Sequence, residues 1–269
     1  MNDRPIGVFD SGMGGFTVMR RIIDHLPGES VIYLGDNARG PFGPRDLGEV
    51  RGFTLQIASY LEGLGVKLIV IACNSASAAG LLEAQRRCRV PVIGVIEPGA
   101  RGAVQATANR RIGVIGTRVT VGSRVYPKAI HALDAGAHVF SRACPTLVER
   151  VERGEVDGPE VEAEVRGYLR PLLRRGIDTL ILGCTHYPLL QPLISRVAGD
   201  GVVLINSAEE VAREVEEKLK RRGHLRSPQS RPRPRHRFLF TGDVEQALRL
   251  GRVFLGPEVE EVESVDLER

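Results

Sequence analysis

"KLIVIACNSASAAG", residues 67–80, runs a short, largely β-branched apolar segment (Leu68–Ile71) into Cys73 and then turns to Asn74, Ser75 and a row of small residues. "GIDTLILGCTHYP", residues 176–188, repeats the arrangement around Cys184. Gly65 and Gly176 each stand eight positions before the cysteine. Ala72 or Gly183 precedes the thiol, and a short polar side chain, Asn74 or Thr185, follows it. The two thiols are 111 positions apart, a domain-sized offset that predicts an internal duplication.

Two further pairs of segments extend the repeat. "RPIGVFDSGMGG" (4–15) and "RRIGVIGTRVTVGS" (110–123) share an Ile-Gly-Val core, Ile6–Val8 against Ile112–Val114, and each breaks into a polar turn ahead of a helix, the second over Thr117 to Thr120. "SVIYLGD" (30–36) and "AHVFSRA" (137–143) read as the second strands. Between strands the spacing is helical. Asp46 and Glu49 form a capping pair after Pro44, and Leu47, Val50, Thr54, Ile57, Leu61 and Leu64 then recur at intervals of three and four until Gly65. Val161, Val165, Tyr168, Leu172 and Leu173 do the same before Gly176. Strand–helix–strand units with short connections predict parallel sheets covered on both faces, hence an α/β protein of two pseudo-symmetric three-layer domains.

The expected domain boundaries are 1–98 with 208–269 for the first domain and 99–207 for the second. The division falls near Glu97-Pro98-Gly99, after a strand read over 91–96, and again where Ser207 and Glu210 open a charged helix. The last strands, "HRFLFTGD" and "VEEVESVDL", are assigned to the first domain.

The bulk properties narrow the class. A chain of 269 residues with 42% hydrophobic and 26% charged residues has the composition of a soluble globular protein, and it holds no apolar run near the ~18 residues a membrane helix needs. "MNDRPIGVFDSG" shows no secretory leader, so a cytoplasmic location and reduced thiols at Cys73, Cys88, Cys144 and Cys184 are expected. The net charge of +4 is concentrated in "RSPQSRPRPRHR" (226–237), which has the composition of a solvated, mobile loop and carries no aromatic residue for base stacking. Neither nucleic acid nor membrane is expected as a partner.

In parallel α/β sheets ligands sit outside the carboxyl ends of the strands. Asp10, Ser11, Cys73, Asn74, Thr117 and Cys184 through His186 all fall there, one rim per domain. A pseudo-twofold would bring the two rims to one inter-domain cleft. Two opposed thiols, one ionised and one protonated, suit the inversion of a carbon acid: one removes a proton from one face while the other returns a proton to the opposite face. A free thiol, with a pKa near 8.5, is only slightly ionised at neutral pH, so Asp10 and His186 are the candidates to assist. The turn "DSGMGG" is not a nucleotide loop, because Thr17 takes the third glycine position and no Gly-Lys-Ser/Thr follows.

Taken singly, these residues have plainer roles. Asp10 could cap the first helix, His186 could be a turn histidine, and Cys88 and Cys144, which lack the repeat pattern, read as structural. A non-catalytic amino-acid clamp and a metal site of Cys73, Cys184 and His186 are the rival uses, although close-spaced ligand pairs are missing.

Five ordered motifs, "FDSGMGG", "PFG" (41–43), "ACNSASA", "ACPTLVERVERGE" and "GCTHYP", resemble the cofactor-independent glutamate racemases of the aspartate/glutamate racemase superfamily. The resemblance spans nearly the whole chain. It implies interconversion of L- and D-glutamate for peptidoglycan synthesis, with Cys73 and Cys184 as the proton donor/acceptors assisted by Asp10, Glu152 and His186. It further implies that Ser11, Phe42 (through its backbone), Gly43, Asn74, Ser75, Thr117, Thr120 and Thr185 hold the substrate together with Asp10 and His186. No cofactor and no metal are implied. The partner is a small-molecule substrate, with a homodimer left open, and aspartate is the nearest alternative substrate. Phe42 and Ser75 depart from the Tyr and Thr usual in the family: Phe42 keeps the ring without the hydroxyl, and Ser75 keeps the hydroxyl without the methyl.

Overall fold

The computed structural model describes residues 2–229, 233–256 and 259–267. Its elements run β1 (Ile6–Asp10), α1 (Phe16–His25), β2 (Val31–Asp36), α2 (Leu47–Gly63), β3 (Leu68–Ile71), α3 (Asn74–Arg87) and β4 (Val92–Gly94). There follow α4 (Ile96–Ala106), β5 (Arg111–Gly116), α5 (Arg118–Gly122), α6 (Val125–Leu133), β6 (His138–Ala143), α7 (Leu147–Glu152), α8 (Pro159–Leu173), β7 (Thr179–Gly183), α9 (Gln191–Ala198) and β8 (Val203–Ile205). The chain closes with α10 (Ser207–Arg221), β9 (Arg237–Thr241), α11 (Val244–Leu255) and β10 (Glu263–Ser264).

Two compact units result, Met1–Val95 with Ala208–Arg269, and Ile96–Ser207. The first holds a sheet of order β10-β9-β2-β1-β3-β4 and the second a sheet of order β6-β5-β7-β8, every pairing parallel. The strands β2-β1-β3-β4 therefore correspond one for one with β6-β5-β7-β8. The register corresponds too: Ile6 lies opposite Leu68 as Ile112 lies opposite Thr179. Central strands are buried along their whole length because helices cover both faces, as in β1, β3 and β7, whereas the edge strand β6 has exposed and half-buried positions only.

Local chemistry explains where the elements start and stop. Asp46 caps α2 by accepting from Gly48 N at 2.7 Å and Glu49 N at 3.4 Å. The reciprocal half of the expected capping pair is not formed; Glu49 instead meets Arg45 at 2.6 Å. Gly65 and Gly176 both take positive φ, +77° and +68°, ahead of the thiol-bearing strands, a conformation costly for any residue with a Cβ.

Three expectations need correction. The strand read over 91–96 ends at Gly94, since Val95 N donates to the Ser77 hydroxyl at 3.3 Å and helix α4 begins at Ile96. The polar turn expected over Thr117–Thr120 is the start of helix α5, with Thr117 as its cap: Thr120 N donates to Thr117 Oγ1 at 3.2 Å.

The third concerns the arginine-rich segment 226–237, whose two ends are not solvated loop. Arg226 is buried, donates from its backbone to Glu29 Oε1 at 2.8 Å and pairs with Asp3 at 3.1 Å, while Arg237 opens β9 and clasps Glu263 with two nitrogens at 2.7 and 2.8 Å. Residues 230–232 of the segment lie outside the described residues.

Candidate active site

In the first unit, β1 ends at Asp10 and β3 delivers Cys73 as the N-cap of the fourteen-residue helix α3. The Ala76 N–H points at Cys73 Sγ at 3.5 Å, so a helix terminus with its outward N–H groups faces the sulfur and favours the thiolate. When protonated, the thiol donates to Ser11 Oγ at 3.8 Å. Asp10 is fully buried and its Oδ2 accepts from Gly15 N at 3.1 Å. Asn74 and Ser75, on the first turn of α3, are buried beside them. The Phe42 ring lies in the core, 5.5 Å from the Phe53 ring.

In the second unit Cys184 follows β7 and is buried. Its Sγ lies 3.8 Å from His186 Nδ1, and His186 Nε2 lies 3.3 Å from Glu152 Oε1 at the end of α7. His186 is buried while the Glu152 side chain is 49% exposed, so thiol, imidazole and carboxylate form a row running outward to solvent. Thr117 and Thr120 are joined hydroxyl to hydroxyl at 3.1 Å, and Thr185 is buried next to Cys184. The structure thus brings Cys73, Ser11 and Asp10 together in one unit and Cys184, His186 and Glu152 together in the other.

The remaining cysteines differ in kind. Burial pushes the Cys144 thiol up to about 12, and burial together with the Glu62 charge raises Cys88. Both therefore stay protonated and poorly nucleophilic near neutral pH. Among the described residues no group of three or more His, Cys, Asp and Glu side chains is arranged to hold a metal ion, and no helix is long and apolar enough to cross a membrane.

Sequence reasoning passed over the buried tyrosines near the thiols. Tyr33 donates to Gly12 O at 2.7 Å, and Tyr187 donates to Cys144 O at 2.9 Å. The only signal was a phenol inside an otherwise apolar strand, "VIYLGD", or directly after "CTH".

Comparison with known proteins identifies the family. The family model described as Asp/Glu/Hydantoin racemase matches residues 6–215. A glutamate racemase of Beutenbergia cavernae is 53% identical over 97% of this chain and 93% of its own length. The crystal structure of a glutamate racemase from Bacillus anthracis superposes with a TM-score of 0.94 at 45% identity, covering 99% of each chain. That of a glutamate racemase from Francisella tularensis, in complex with D-glutamate, gives 0.93 at 34% identity over 100% of this chain and 99% of the other.

Proposed function

The chain belongs to the Asp/Glu/Hydantoin racemase family, and from that premise we propose that it interconverts L- and D-glutamate without a cofactor, using Cys73 and Cys184 as the two acid–base groups. In the L-to-D direction the Cys184 thiolate removes the α-proton, breaking Cα–H and forming S–H. The Cys73 thiol then gives its proton to the opposite face of the resulting carbanion and is left as thiolate. The D-to-L direction runs the same steps backwards. Each direction starts with one thiol and one thiolate, so the pair carries a single negative charge.

The neighbours divide the work. His186, backed by Glu152, takes or lends the proton of Cys184, while Asp10 serves Cys73. Ser11, Asn74, Ser75, Thr117, Thr120, Thr185 and the backbone at Phe42 and Gly43 hold the substrate's ammonium and carboxylates. The product D-glutamate feeds peptidoglycan synthesis in the cytoplasm.

The observation that carries this proposal is the pairing of each strand-end thiol with a partner of its own, Ser11 for Cys73 and His186 for Cys184. The test is to incubate the purified protein with L-glutamate in deuterated buffer after exhaustive dialysis against chelator, without pyridoxal phosphate. Loss of optical rotation matched by deuterium at the α-carbon of the D product is expected. Unchanged rotation, dependence on added metal or pyridoxal phosphate, or faster turnover of L-aspartate at equal concentration would overturn it.

A further inference from the structure

Tyr33 stands in the middle of β2, opposite Val8 of β1, with its ring fully buried. The ring stacks on Phe16 at 4.3 Å between centroids and lies 5.7 Å from Phe240, so its position is fixed by packing. Its hydroxyl donates to the carbonyl of Gly12 at 2.7 Å. Gly12 sits in the turn that begins with Ser11, the residue meeting the Cys73 thiol, and ends with Gly15, whose N–H holds the Asp10 carboxylate at 3.1 Å. There is no slack in this arrangement. A Cβ built on Gly15 would lie 2.6 Å from the Asp10 Cβ and 2.7 Å from the Tyr33 hydroxyl. Burial, with the charges of Asp10 and Cys73 adding to it, keeps the phenol protonated and therefore a donor throughout the neutral range.

The second unit differs at the corresponding position. Val114 corresponds to Val8, and the residue opposite it is Ser141, an exposed position of the edge strand β6. The buried phenol of that unit, Tyr187, follows β7 and donates to the Cys144 carbonyl at 2.9 Å, so the two units place their phenols differently and Tyr33 acts on the Cys73 side alone.

We propose that Tyr33 is a positioning residue for the Cys73 half of the reaction: its hydrogen bond to Gly12 O sets the turn that aims Ser11 and Asp10 at the thiol. The proposal rests on the two-thiol reading above, and its signature is one-sidedness. Where two bases serve opposite faces, loss of the strut slows proton transfer at Cys73 and spares Cys184. A loss of general stability would slow both alike.

The half-reactions separate these outcomes. In 3-chloroglutamate, removal of the α-proton to a thiolate is followed by formation of Cα=Cβ and departure of chloride, so each α-configuration reports the base on its own face. Elimination from the D and L forms is measured for wild type, Cys73→Ser, Tyr33→Phe and Phe16→Leu, with thermal unfolding to confirm that each variant is folded. Tyr33→Phe keeps the ring and removes the donor; it is expected to slow the form that Cys73→Ser abolishes by about tenfold or more, a modest misplacement effect, and to leave the other form within about twofold. Phe16→Leu keeps the hydroxyl but removes its stacking support, and gives the same sidedness at smaller amplitude. If Cys73→Ser itself shows no sidedness, the two-thiol reading fails. If Cys73→Ser is one-sided but the folded Tyr33→Phe and Phe16→Leu slow both forms equally, slow only the other form, or slow neither, the role proposed for Tyr33 is wrong.

Discussion

The residue just before each thiol-bearing strand shows how the two units of the repeat have diverged. In the first it is Lys67, fully buried, paired with the equally buried Glu29 at 2.5 Å and donating to the carbonyls of Asn2 and His224. In the second it is Asp178, which accepts from the Thr107 hydroxyl, Ala108 N, Asn109 N and the Thr179 hydroxyl at 2.6 to 2.9 Å. Opposite charges therefore perform the same task, tying down the entry to a central strand. At the exits the thiol is kept and its surroundings change. Cys73 caps a long helix beside Asp10, whereas Gly116 takes the place of Asp10 in the other unit and the groups lined up with the thiol there are His186 and Glu152. The two units share the backbone plan and the strand-end sulfur and differ in the polar groups placed beside it.

The contrast can be broken first at the sulfurs. Cys73→Ser and Cys184→Ser are each expected to lower racemisation by about a thousandfold or more, because an alcohol is a far weaker acid than a thiol and neither direction runs on one group. Cys88→Ser and Cys144→Ser should retain turnover, read by polarimetry on the same preparations. Next come the partners. Asp10→Asn and His186→Asn remove different assistants, so each is expected to cost about a hundredfold in one half-reaction, within the usual range for a general acid or base, with much less effect on the other. Equal losses in both half-reactions from either variant would erase the distinction between the units.

The strand entries give a stability test. Lys67→Met leaves Glu29 buried without its cation and is expected to cost about 3–5 kcal/mol, measured by urea unfolding. Asp178→Asn is expected to cost less, with a specific pH signature. Burial acts to raise the Asp178 carboxyl, but hydrogen bonds from Thr107, Asn109, Ala108 and Thr179 outweigh it and hold the group below the usual carboxylate range. A folded-state value below the unfolded one of about 3.9 means that the carboxylate's stabilisation is fully present above that pH and is lost as pH falls through the folded value. The gap between wild type and Asp178→Asn should therefore narrow on acidification below about pH 4 and stay constant above it. The smallest effect is expected from exchanging residues 229–234 for a Gly-Ser linker of equal length, which keeps Arg226 and Arg237 and should leave turnover unchanged.

Much of this was written in the chain. The apolar runs ending at Cys73 and Cys184, the two positive-φ glycines and the shared Ile-Gly-Val strands are local patterns, and local patterns survive in a one-dimensional reading. What sequence concealed was pairing over distance. Nothing in "RSPQSRPRPRHR" distinguishes Arg226 from its neighbours, because its burial depends on Glu29 and Asp3 nearly two hundred positions or more away. Tyr33 carries no distinguishing mark within its strand, since its hydroxyl meets the Gly12 carbonyl in the turn after another strand. Glu152, inside a strongly charged stretch, reads by composition as a solvated helix face and is singled out only by the family motif, because its contact with His186 depends on the fold. The end of the strand before Val95 was equally hidden, being set by the hydroxyl of Ser77 on α3.

The division of labour between the thiols is tested most directly by elimination from D- and L-3-chloroglutamate catalysed by the two serine variants. Cys73→Ser is predicted to retain elimination from the L form and lose it from the D form, and Cys184→Ser to do the reverse, while neither racemises glutamate. Equal elimination from both enantiomers by both variants, or full racemisation by either, would contradict the account.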